Sequence, residues 1–279
     1  LSQTDSTAQP QAQSTEAAAA WGAFHARWSR LRAPLRPNAD IVAAVQQQIT
    51  GHDGHVLLLG VTADLAGLGR TMTAVDWSAP MIAHVWPGDR PGRRAVLADW
   101  RTMPMPDNPF SAAIGDGSLA TLAWPHDYRA IFARLTAVLA PAARMVVRCY
   151  LTPDEPEPLD SVRVAALSGR VTNFHALKWR VAMAVAGEAG DPNVPVRKIL
   201  DAFEHAFPDR NALAAATGWG LDDIAEIDAY RGGLAVYSFV TRTQIAKVLP
   251  PELAAARYVD AGSYELAERC PLLVADFRP

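Results

Sequence analysis

The feature that most constrains this chain is a regular alternation of short apolar runs with longer helical patterns between residues 56 and 150. Val56 to Leu59 is a continuous apolar run that ends at Gly60. Thr73 to Val75, Ala95 to Ala98, Ser111 to Ile114 and Met145 to Tyr150 repeat the theme, each of a length suited to a buried strand. Between them, Ser78 caps a helix whose inner residues are Met81, Ile82 and Val85. Ile131, Leu135, Val138 and Leu139 trace another helical face that Pro141 is placed to stop. Strand alternating with helix is the pattern of a parallel sheet covered on both faces, so the expected fold class is α/β.

The flanks are read around that centre. Residues 1–17 are mostly Gln, Ser, Thr and Ala, too poor in large apolar side chains to offset the entropy of ordering, and are expected to be a disordered tail. Residues 18–279 then form one domain. Within it, 18–51 are expected to be N-terminal helices. Trp21, Phe24, Trp28 and Leu31 recur at spacings of three and four until Pro34 and Pro37 interrupt them. A second helix is capped by Asn38 or Asp40, striped by Ile41, Val42, Val45 and Ile49, and ended by Gly51. Residues 153–218 read as a helical insertion, a candidate lid, with Val196, Ile199, Leu200, Phe203 and Phe207 on one amphipathic face. Ile224 to Tyr230 and Leu234 to Thr241, around Gly232 and Gly233, predict an antiparallel hairpin at the sheet edge, and Leu272 to Phe277 predicts a further strand.

Composition narrows the partners. With 279 residues, half of them hydrophobic and a fifth charged, the chain has enough apolar mass for a full core. A formal net charge of −3 and the lack of a Lys/Arg stripe argue against nucleic acid. No run approaches the ~18 to 20 apolar residues of a membrane span, and the first residues lack a basic and apolar leader, so no membrane partner and a cytoplasmic location are expected. Cys149 and Cys270 sit in apolar runs and are expected to be buried free thiols. His52, His55 and the acids between Asp154 and Asp160 lack the spacing of a ligand set, so no metal is expected.

In an open parallel sheet, ligands bind beyond the carboxyl ends of the strands, which makes the polar residues there the candidates for chemistry. Gly60 lets the backbone turn and approach a ligand, and Val61 and Thr62 offer amides beside it. Asp76, ending the second strand, is placed to accept both hydroxyl protons of a ribose. Asp99, ending the third, is placed to accept from an adenine amine while Trp77 or Trp100 covers the ring face.

The set "VLLLGVTADL", "AVDWSAPMI", "VLADWRTMPMPDNPFSAAIGDGSL" and "LAPAARMVVRCY" resembles the class I S-adenosylmethionine (SAM) dependent methyltransferase superfamily over roughly Val56 to Tyr150. The resemblance implies a Rossmann-like, doubly wound seven-stranded sheet, mostly parallel with an antiparallel C-terminal hairpin. It also implies SAM as cofactor, ribose on Asp76, adenine on Asp99, and the methionine moiety and acceptor bordered by Asp116, Gly117 and Ser118. The first motif departs from the family, since Leu58 stands where an acid is usual and only Gly60 of three glycines remains, with Thr62 and Asp64 at the later positions.

Methyl transfer from a sulfonium needs alignment and exclusion of water, with a base where the acceptor carries a proton. The candidates are Asp116, His126, Tyr128 and His175. His175 shares a helical face with Lys178, next to Trp179. Among Trp28, Arg32 and Arg36 of the N-terminal segment, an arginine, with Arg36 the choice, is placed to pair with the SAM carboxylate. The insertion and the aromatic N-terminal helix favour a small-molecule acceptor beneath a lid. Two rivals stand beside this reading. A nicotinamide-dependent oxidoreductase needs G-x-G-x-x-G, and "GVTADL" crowds that space. A non-catalytic interaction or regulatory protein that retains the fold is the other, and the thinned glycine loop is its evidence.

Overall fold

In a computed structural model, Trp28 and residues 31–279 are described; the expected tail and most of the first N-terminal helix lie outside these residues. Seven strands form one sheet: β1 (His55–Leu59), β2 (Thr71–Asp76), β3 (Arg93–Leu97), β4 (Phe110–Asp116), β5 (Leu139–Arg148) and, beyond the small sheet described below, β8 (Arg257–Val259) and β9 (Leu272–Asp276). Their order is β3-β2-β1-β4-β5-β9-β8. β1 lies at the centre, parallel to β2 with Leu57 opposite Thr73, and parallel to β4 with Leu57 opposite Ala113. The continuous apolar run of β1 follows from this position, because both faces of a central parallel strand are covered. β9 runs antiparallel to β5, with Val146 opposite Val274, and β8 antiparallel to β9.

One face of the sheet is packed by α1 (Ala39–Ile49) and α2 (Ala79–His84), with Ile41, Val45, Ile49 and Met81 buried against Val56, Leu58 and Ala74. Both helices start on side-chain caps: Asn38 accepts from the Ile41 amide at 3.0 Å and Ser78 from the Met81 amide at 3.4 Å. The other face is packed by α3 (His126–Val138), through Ile131, Phe132 and Leu135 onto Leu57, Ala113 and Met145. Pro141 does not stop α3, which ends at Val138, while Leu139 already pairs with Phe110. Pro141 and Ala142, the latter at φ 61°, instead fall in the irregular stretch before Ala112 pairs with Arg144.

Beyond β5 the chain is helical as expected, with α4 (Leu159–Leu167), α5 (Phe174–Ala189), α6 (Val196–Ala206) and α7 (Arg210–Thr217). Val196, Ile199, Leu200, Phe203 and Phe207, read as one face, are all buried in a cluster with Leu177, Val181 and Ile224. The hairpin expected over 224–241 is not formed. Leu221–Ala225 is helix α8 and Glu226–Tyr230 a 3-10 turn, while β7 (Val236–Ser238) pairs with β6 (Asn193–Pro195) in a separate two-stranded sheet. The apolar residues of 224–230 that suggest a strand, Ile224 and Ile227, are satisfied by packing on the insertion. The antiparallel pair at the end of the sheet is β8 with β9, whose apolar run at 272–277 the sequence does reveal. The last helix is α9 (Arg242–Ala246), opened by a reciprocal Thr241–Gln244 capping box. Cys149 and Cys270 are buried, and among the described residues no helix is long and apolar enough to cross a membrane.

Phe203 is fully buried and stacks edge-on to Phe174 at 5.7 Å between ring centroids. Phe203→Ala is expected to lower unfolding free energy by about 3 to 5 kcal/mol, measured by urea denaturation, since it leaves a cavity that helices on both sides hold open.

Candidate functional site

One pocket opens beyond the carboxyl ends of β1, β2 and β4, and its far wall is formed by the helical insertion. Gly60, at φ 102°, makes the first turn and donates its amide to the Val75 carbonyl at 2.8 Å. A Cβ there would find room, 3.8 Å from Asp76 Oδ2, so backbone conformation rather than crowding calls for glycine. Val61 and Thr62 continue the lining, and both are buried. Asp64 does not line the pocket. Its carboxylate is taken by Arg36, with Nη2 at 2.9 Å and Nε at 3.0 Å. Arg36 also donates to the Trp28 carbonyl and lies over the Trp28 ring. Arg36 is therefore not in the lining as expected; its charge is spent on neutralising the acid that replaces a glycine.

Asp76 is 7% exposed and lines the pocket beside Trp77. Burial pushes its carboxyl up to about 6, against the hydrogen bonds it accepts from the Ser78 and Trp77 amides. Among the described residues no cationic side chain pairs with it, so it offers lone pairs to a donor in the pocket. Trp100 forms the adjoining wall, fixed by its indole N–H on the Val75 carbonyl. Asp99 lies outside the lining. It is held by the Arg101 guanidinium, which also bonds Asp127 at 2.7 Å. Partial burial works to raise the Asp99 pKa, but the Arg101 contacts outweigh it and leave the carboxyl below its ordinary value. The equivalent strand end thus carries an ion pair where an adenine contact is expected.

Asp116, Gly117 and Ser118 line the pocket. Gly117 is at φ 64°, and a Cβ there would fall 2.5 Å from the Tyr150 ring. Asp116 is not available as a base, because Arg148 holds both carboxylate oxygens through Nε and Nη2. The remaining catalytic candidates are separated from the pocket lining. The His126 side chain is 89% exposed and sits on Asp127 at the start of α3. Tyr128 is buried under the sheet with its hydroxyl 2.8 Å from Ser238 Oγ, and burial raises its phenol far above the ordinary range. His175 stands one layer back, its Nδ1 3.9 Å from Glu226 Oε2.

Glu226 itself is in the lining, together with Lys178, Trp179, Tyr230 and Tyr237. The Lys178 ammonium lies 5.3 Å from the Tyr230 ring centroid and 5.7 Å from that of Trp179. Glu226, Tyr230 and Tyr237 escape the sequence reading, since they reach the site only through the docking of the insertion. Among the described residues no group of three or more His, Cys, Asp or Glu is arranged to hold a metal.

Neither a family model nor a curated protein matches the chain. Solved structures do. CalS10, an amino pentose methyltransferase from Micromonospora echinaspora bound to SAM, is 16% identical, covers 96% of this chain and 99% of its own, and superposes with a TM-score of 0.50. The Burkholderia thailandensis 1,6-didemethyltoxoflavin-N1-methyltransferase, with S-adenosylhomocysteine bound, is 17% identical over 97% of this chain and 93% of its own, at a TM-score of 0.48. A Rhodobacter sphaeroides protein provisionally grouped with the Zn-dependent alcohol dehydrogenases is 11% identical over 95% and 98%, at 0.54. The likeness to CalS10, together with the strand order, shows a shared Rossmann-like fold, a mostly parallel seven-stranded sheet with an antiparallel pair at one end. The differing names on one fold leave the chemistry to be argued from the site.

The raised Asp76 carboxyl carries a stability prediction with a definite sign. Its folded value of about 6 lies above the ordinary 3.8, so its favourable contribution is complete below about pH 4 and lost as pH rises through 6. Asp76→Asn should therefore stabilise the ligand-free protein by about 3 kcal/mol above pH 7 and by nothing near pH 4, read from melting temperatures across pH. Tyr128→Phe, by contrast, should lower stability by about 1 kcal/mol and leave binding in the pocket unchanged.

Proposed function

We propose that the chain is a SAM-dependent methyltransferase acting on a small-molecule acceptor. The observation that carries this reading is a single pocket that joins the Gly60–Asp76 turn to an aromatic chamber built by the insertion. The residues fit the cofactor. Asp76 is a buried carboxylate without a cation partner among the described residues, suited to the two hydroxyls of a ribose. Trp77 and Trp100 offer flat apolar faces for adenine. Gly117 and Ser118 border the methionine side, where the φ 64° of Gly117 and its closeness to Tyr150 leave no room for a side chain. The departures in the glycine loop keep large groups out of the pocket, because Thr62 is compact and Asp64 turns to Arg36. When bound, SAM supplies a methyl group already activated by a sulfonium.

What the chain itself then does is align and enclose. Trp179, Tyr230 and Tyr237 exclude water from the chamber, which strengthens the electrostatic contacts within it. A macromolecular surface is a poor fit to a chamber walled by an insertion on one side and by Leu31 and Leu35 on the other. A non-catalytic protein with the same fold is the second reading, favoured by one observation, the Arg101 ion pair that occupies Asp99.

Calorimetric titration with SAM and S-adenosylhomocysteine separates the two. Binding is expected for the intact chain, weakened at least about tenfold, or about 1.4 kcal/mol, in Asp76→Ala and little changed in Asp99→Ala. Affinity should also fall as pH drops below 6, because the protonated Asp76 accepts fewer hydrogen bonds. No binding by the folded chain at neutral pH would put the non-catalytic reading in front.

A further inference from the structure

Resting on that reading, we propose that the methyl acceptor is an amine, protonated in solution, whose ammonium group is bound and deprotonated by Glu226. Three acids line the pocket. Asp116 is committed to Arg148, and Asp76 stands at the ribose end. Glu226 is the third, and it belongs to the chamber wall, at the start of the 3-10 turn Glu226–Tyr230.

The Glu226 side chain is 11% exposed, and its charged neighbour among the described residues is His175 Nδ1 at 3.9 Å. That separation is too long for a hydrogen bond, and the histidine is charged only when protonated. No Lys or Arg nitrogen among the described residues lies within salt-bridge distance of this carboxylate. A carboxylate so withdrawn from water is strongly favoured by a cation that reaches it. The strand-end acids Asp76 and Asp116 have peptide donors and an arginine respectively, whereas Glu226, on the 3-10 turn, lines the chamber.

The walls point the same way. Trp179 and Tyr237 lie 5.5 Å apart between ring centroids, and Tyr230 and Tyr237 6.3 Å, and this aromatic cluster lines the same pocket as Glu226. Aromatic faces attract positive charge; the Lys178 ammonium already lies over Tyr230 and Trp179, so an incoming ammonium is drawn by the Glu226 carboxylate against that like charge. An alcohol would donate one hydrogen bond to Glu226, while an ammonium donates the hydrogen bond and adds the attraction of opposite charges. The proton step balances simply: one N–H bond of the ammonium breaks, the proton passes to a Glu226 oxygen, and the electron pair stays on nitrogen as the nucleophile.

The test uses matched aromatic probes that differ chiefly in the charge of the terminal group. Tyramine, its alcohol 2-(4-hydroxyphenyl)ethanol and 4-hydroxyphenylacetate, with the parallel set benzylamine, benzyl alcohol and benzoate, are titrated calorimetrically into the full chain, alone and saturated with S-adenosylhomocysteine. In at least one set the amine is expected to bind about tenfold more tightly than the alcohol and to exclude the carboxylate. Glu226→Gln, folded by its melting curve, should lose that preference and keep its affinity for S-adenosylhomocysteine. Absence of an amine preference throughout the panel, tighter binding of the carboxylates, or a preference that survives Glu226→Gln would overturn the proposal. Binding of S-adenosylhomocysteine without amine preference sinks this inference alone; amine preference without S-adenosylhomocysteine binding sinks the cofactor reading instead.

Discussion

The pocket is held in shape by a guanidinium with no access to water. Arg148, at the end of β5, gives two hydrogen bonds to Asp116 at the end of β4, one to the Pro34 carbonyl at 2.7 Å, and longer ones to the hydroxyls of Tyr150 and Tyr264. Both tyrosine rings also lie within cation–π range of it. Burying an ion is unfavourable unless its donors are satisfied, and here charge, carbonyl, hydroxyls and ring faces converge on one side chain. The result ties the N-terminal segment, which supplies Leu31 and Leu35 to the pocket, to two neighbouring strands of the sheet. A lysine could not replace it, because only a planar fork reaches a carboxylate and a carbonyl together.

That arrangement decides what the acids at the strand ends can do. Asp76, Asp99 and Asp116 look equivalent by position, yet their surroundings make them three different groups. Asp76 has peptide donors and little water, so burial dominates and its carboxyl rises to about 6. Asp99 is a half-exposed partner of Arg101. Asp116 serves Arg148 and through it the wall behind Gly117. Strand ends place side chains in the same layer, while neighbours two or thirty residues away set their charge state.

The same distinction explains how much was legible in the sequence. The strand pattern from 56 to 150 is local, because each strand is short, apolar and bounded by its own turn or cap, and Ser78 announces its helix by identity, while the cap at 38–40 is legible only as Asn38 or Asp40. Gly60, Asp76 and Gly117 follow from their places at strand ends. Arg101, two residues after Asp99, is also a readable warning that the acid is paired. Arg148 was a weaker signal: a charge inside "MVVRCY" demands a buried partner without saying which. The contribution of Glu226, Tyr230 and Tyr237 to the chamber was not readable, because Ile224 and Ile227 fit a strand as well as a helix until the insertion packs over them. Tyr128 and His126, two residues apart on α3, illustrate the remaining error, since nearness to a strand end does not fix which face of the following helix turns to the pocket.

The thinned glycine loop then has a physical account. Glycines after a first strand serve to let the backbone turn and to keep side chains from a ligand, and those are separable tasks. Gly60 alone performs the first, at a φ that side chains rarely adopt. The second is met by direction. Ala63–Leu65 winds into a 3-10 turn that buries Leu65 in the core and sends Asp64 away from the pocket, into the guanidinium of Arg36. Arg36 is anchored in turn on Trp28, whose side chain lines the same pocket. An acid in place of a glycine thus couples the turn after β1 to the N-terminal segment, which Arg148 grips at Pro34. The loop and that segment are fixed by two ion pairs, one partly exposed and one buried, so the altered motif is compensated by contacts that lie outside the motif itself.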